Sequence, residues 1–92
     1  MNTWTQDEAI AFEAARECIT DMIAICTEAI EAERRRAGAD SLRVEQLEAE
    51  RRRLGDELRE LRLQDQVAVQ RVLNDYGPKL RADLAAARAK AA

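Results

Sequence analysis

The 92-residue chain has no histidine, one serine, one proline, three glycines and three aromatic residues, Trp4, Phe12 and Tyr76. Each shortage excludes something. Without histidine the commonest general acid–base and the commonest metal ligand are missing. The Glu-x-x-His pairs of carboxylate-bridged metal sites in helical bundles cannot form either. Three isolated glycines build no phosphate-cradling loop, Ser41 stands where a helix cap is expected, and Cys26 as a nucleophile has no base. Neither catalysis, a metal nor a cofactor is expected. No apolar run approaches the roughly 18 residues a membrane span needs. The opening MNTWTQDEA is polar, then acidic, without the basic-plus-apolar plan of a signal peptide, so a cytoplasmic protein is expected. Fifteen basic residues against 18 acidic ones leave a net charge of −3, which argues against a general nucleic-acid binder.

What is present is Ala, Leu, Glu and Arg, the composition of long helices or coiled coil. At this length one domain is expected, near the lower limit for a self-sufficient core. The most apolar stretch is Phe12–Ile30, FEAARECITDMIAICTEAI. At about 100° per residue, Phe12, Ala15, Met22, Ile23, Cys26 and Ile30 cluster around Ile19. Cys18, Ile25 and Ala29 widen that face to an arc of about 160°, where one partner helix needs only about 100°. Glu13, Glu17, Asp21, Glu28 and Glu31 occupy the far side. This helix requires more than one neighbour. Cys18 and Cys26, eight residues apart on it, would lie about 12 Å from each other, beyond disulfide reach. They read as small core residues, with a bridge between two copies as the alternative.

Taken in order, Thr5 and Glu8 have the spacing of a capping box, and Asp7 and Glu8 suit the helix dipole. The first helix is expected over about 5–37. Arg34, Arg35 and Arg36 favour its last turn, Gly38 suits a left-handed terminus, and Asp40 or Ser41 caps the next helix. So short a link demands an antiparallel return. The second helix is expected over about 41–76, its seam Val44, Leu47, Arg51, Leu54, Leu58, Leu61, Asp65, Ala68 and Val72 at heptad spacing. Two seam residues are charged. Arg51 reads as pairing with Glu28 or Glu48, and Asp65 as pairing with Arg16, so that Arg16, Asp65 and Arg51 set the register. Gly55 sits in the helix interior. Tyr76-Gly77-Pro78 reads as a stop, followed by a short helix over about 78–90 with Leu80, Leu84 and Ala87 on one face. Trp4 would then meet Asn74 and Tyr76. The fold class is all-α: a long antiparallel helical hairpin, coiled-coil-like, with a short C-terminal third helix.

The arginine runs 34–36 and 51–53 read first as ion-paired, solvated helix faces. Phosphate binding at the hairpin tip is a third-ranked alternative. A narrow leucine seam cannot cover the wide face of the first helix, and a third helix with two leucines is too poor to finish the task. Cys18, Ile19, Met22, Ile23, Ile25, Cys26, Ala29 and Ile30 are therefore the candidate partner-binding residues. The partner would be another protein or a second copy forming a four-helix bundle with a scaffolding role.

The acidic opening WTQDEAIAFEAARECITDMIAIC and the closing LQDQVAVQRVLNDYGPKLRA resemble, in helix order and composition, small helical antitoxins that neutralise zeta-type nucleotide-kinase toxins. The resemblance implies a non-catalytic protein that obstructs the nucleotide site of a toxin with its first helix.

Overall fold

The structure, a computed structural model, describes residues 4–91, with side chains to residue 90. Residues 1–3 of the polar opening and Ala92 of the Ala-rich end lie outside it. There are three helices, α1 (Gln6–Arg35), α2 (Ser41–Glu60) and α3 (Gln66–Ala91), and no strand among the described residues. α1 opens with the capping box its sequence spells. The Glu8 N–H donates to Thr5 Oγ1 at 3.1 Å and the Thr5 N–H to Glu8 Oε1 at 2.7 Å, so two donors with no partner inside the helix are satisfied together.

After α1 the chain turns through Gly38, whose φ of +73° lies in the left-handed region that side chains resist. Asp40 Oδ1 then accepts from the N–H groups of Leu42 and Arg43 at 3.0 and 3.3 Å, capping α2. α2 returns antiparallel to α1. Arg34 meets Glu48 at 2.9 Å near the tip, and Arg51 Nη1 donates to Thr27 Oγ1 at 3.1 Å farther down.

The second helix does not continue to Tyr76. It ends at Glu60, and Leu61 to Asp65 are non-helical. Side chains make this break possible without glycine or proline. Arg62 Nη1 donates to the carbonyls of Arg59 and Leu61 at 2.6 and 3.2 Å, satisfying acceptors at the helix end. Gln66 Nε2 donates to the Leu63 carbonyl at 2.6 Å. Asp65 Oδ1 accepts from the Ala68 N–H at 3.0 Å and so caps α3.

The expected stop at Tyr76-Gly77-Pro78 is not used, because α3 runs through it with Pro78 inside the helix. A proline ring pushes its predecessor out of helical geometry by crowding that residue's N–H and Cβ, and Gly77 has no Cβ. What the sequence suggests as a short helix over about 78–90 is thus the second half of a 26-residue helix.

α3 folds back beside α2 and runs parallel to α1. At its start Gln66 Nε2 lies 3.5 Å from the Glu8 carbonyl; farther on, Tyr76 Oη donates to Glu57 Oε2 at 2.7 Å. α2 and α3 both pack along α1, yet no Cα of α2 comes within 8 Å of a Cα of α3 among the described residues. α1 is therefore the common centre. Ala15, Ile19 and Cys26 of α1 form one buried cluster with Leu54 of α2, Leu61 of the break, and Val69, Val72 and Tyr76 of α3. Full burial contributes about 1.5–3 kcal/mol for each large aliphatic side chain, and Ile19, Ile30, Leu54, Val69 and Val72 are enclosed to that degree.

Candidate protein-binding surface

The break at Leu61–Asp65 decides what becomes of the wide α1 face. Val69, Val72, Leu73 and Tyr76 lie on a separate helix and cover part of the α1 face that a continuous second helix would leave bare. Three of the eight candidate binding residues are consequently core: Ile19 is 0% exposed, Ile30 1% and Cys26 6%. Ile19 and Cys26 pack with residues of α2 and α3, and all three are closed to a partner in this packing. Cys18, Met22 and Ile23 pack at the edge of the core and stay partly exposed, as do Ile25 and Ala29.

The register residues are placed differently from expectation. Arg16 and Asp65 do not pair. The Arg16 guanidinium lies over the Phe12 ring, 5.8 Å from its centroid, while Asp65 is spent as the α3 cap. Arg51 bonds Thr27 rather than Glu28 or Glu48. Tyr76, expected near Trp4, is instead buried against α2. Burial pushes its phenol upward, the bond to Glu57 adds to that, and neighbouring Arg53 opposes it.

Two adjacent elements are left without full cover. The first is the flank of α1 carrying Cys18, Met22, Ile25 and Ala29, bordered by exposed Glu17, Asp21 and Glu28. The second is the end of α3, where every side chain from Arg81 to Lys90 is exposed and Leu84 is 58% exposed. By helical spacing Leu80, Leu84 and Ala87 prolong the stripe that Val69, Val72, Leu73 and Tyr76 bury higher up. Lys79, Arg81, Arg88 and Lys90 surround this prolongation with only Asp83 opposing them. The arm is thus a basic amphipathic helix end. Its apolar face is legible in the sequence; its extension from a packed helix is not.

The remaining candidates for chemistry are occupied locally. Both thiols are unbridged. Burial is the first cause pushing each upward, joined by Asp21 and Glu17 at Cys18 and by Glu50 at Cys26. A thiol held protonated is a poor nucleophile. At the hairpin tip Arg36 pairs with Glu33 at 2.7 Å and Arg35 approaches Glu31 at 4.0 Å, and farther along α2 Arg53 holds Glu50. Arg43 and Arg52 have no ion-pair partner among the described residues. Among those residues no three Asp, Glu or Cys side chains converge on a possible metal position, and no helix is long and apolar enough to cross a membrane. No family model, no curated protein and no solved structure matches the chain.

Proposed function

We propose that the chain is a non-catalytic protein–protein interaction module of the cytoplasm, an antitoxin-like neutraliser that occludes a functional site on its partner. The supporting observation is the acid-bordered apolar flank of α1, left partly open beside an arm whose side chains from Arg81 to Lys90 are all exposed. An apolar strip flanked by charge suits a partner presenting a complementary apolar ridge. The obstruction would come from α1 itself, a rod of 30 residues anchored on its other side by two helices.

The experiment is co-expression with the products of neighbouring genes, followed by purification of any complex and assay of the partner's activity. Binding should inhibit that activity. Ile25→Asp should abolish binding while leaving the helical circular dichroism unchanged, since Ile25 lies outside the buried cluster. Undiminished binding by that variant, or a complex in which the partner keeps its full activity, would refute the proposal.

A further inference from the structure

The two uncovered elements match each other. Met22 to Ala29 on α1 and Leu80 to Ala87 on α3 both extend over about 10 Å of helix. Their borders carry opposite charge, Asp21 and Glu28 on the flank against Arg81 and Arg88 on the arm. Arg81 at the root of the arm comes near enough to act on Cys18, yet the arm does not bury its stripe on the flank of its own chain. α3 continues through Pro78, and Leu84 stays 58% exposed. An Ala-rich helix end of this length gains little stability alone and needs tertiary packing.

We infer that two copies of this chain associate reciprocally, each seating the Leu80–Ala87 stripe of its basic arm on the acid-bordered flank Met22, Ile25 and Ala29 of the other. A two-fold arrangement uses both surfaces twice and closes, leaving neither open for further growth. Opposite charges at the border set the polarity of docking and disfavour arm against arm. The inference rests on the reading of the α1 flank as a binding surface and adds to it a regulation: the free protein masks that flank, and a partner must displace the neighbouring arm. Dimer and partner complex are then mutually exclusive.

Sedimentation of the full chain tests it. The wild-type mass should rise with concentration to that of two copies, and salt should weaken the association. Reversing the arm (Arg81→Glu with Arg88→Glu) or the flank (Asp21→Arg with Glu28→Arg) should each weaken dimerisation by about tenfold or more. An equimolar mixture of the two should recover a dimer containing one of each, because both docking contacts are restored only in that pair. All four positions are exposed, so folding is unaffected, and circular dichroism verifies it. Leu84→Asp supplies a second route, abolishing the dimer without loss of helix. A wild type that stays monomeric at millimolar concentration, or reversed variants that dimerise as well apart as mixed, overturns the inference. A monomer that still captures a partner overturns it while leaving the proposed function standing; a dimer with no partner does the reverse.

Discussion

Two valines on the first turns of α3 offer a paired test of how that helix is placed. Val69 is 0% exposed and belongs to the core, whereas Val67 is 79% exposed. Val69→Ala deletes two buried methyl groups, worth about 0.8 kcal/mol each before any cavity is counted. With incomplete collapse of the space left behind, the loss should reach about 2 kcal/mol. For a domain of this size that corresponds to a fall in melting temperature of about 10 °C. Val67→Ala should change stability by less than about 0.5 kcal/mol. Both values come from urea denaturation followed by circular dichroism at 222 nm, with the thermal midpoint as a check. A continuous second helix would put Ala68 and Val72 on the seam and Val69 at its edge, making the two substitutions similar. Equal losses, or a larger one at Val67, would refute the packing described above.

Asp65→Ala removes the α3 cap and should cost about 1 kcal/mol in the same urea assay; no change would show that the carboxylate leaves that bond in solution. A Cβ at Gly55 would meet only Arg59 Nη1 at 3.6 Å. Gly55→Ala should therefore raise stability by about 1 kcal/mol, whereas Gly77→Ala, ahead of Pro78, should lower it. The pair shares a substitution and differs in sign, so stabilisation by both would contradict the account of α3. Hydrogen bonds from Arg36 and from the Asp40 N–H hold the Glu33 carboxyl down to about 2 from an ordinary 4.5. Its folded value being the lower, Glu33 contributes stability that is complete above 4.5 and fades as pH falls toward 2. Over that window Glu33→Gln should flatten the acid limb of the stability curve, and an unchanged limb would exclude this role.

The start of α1 and the hairpin tip were readable because their signals are local: Thr5 with Glu8 at the first, and Gly38 and Asp40 at the second, each act within three or four residues of themselves. The break at Leu61–Asp65 was harder, since Arg62 and Gln66 satisfy the carbonyls with long side chains that look like ordinary surface residues. Asp65 was the clue, a cap-type residue standing on an apolar seam; read as half of an ion pair, it concealed the cap. Gly77-Pro78 misleads in the opposite sense, because a glycine before proline relieves part of the clash that makes proline a stop. From these two positions follows a different placement of the candidate binding residues. Once Val69 to Tyr76 belong to a returning helix, Ile19 and Cys26 share a core with it, Ile30 is buried as well, and the open surface shrinks to the outer flank of α1. The demand of α1 for more than one neighbour was legible from its arc alone, and two of those neighbours come from its own chain.

Everything about the open surface depends on α3 folding back along α2. The most direct measurement is a nuclear Overhauser contact between the Tyr76 ring and the Glu57 side chain, whose Oε2 accepts the Tyr76 hydroxyl at 2.7 Å. The structure predicts a cross-peak between the ring protons and the Glu57 methylenes, with helical connectivities interrupted from Leu61 to Asp65. In an unbroken helix the two residues would stand about 28 Å apart. A missing cross-peak with helical connectivities running without interruption through Leu61 to Asp65 would contradict it.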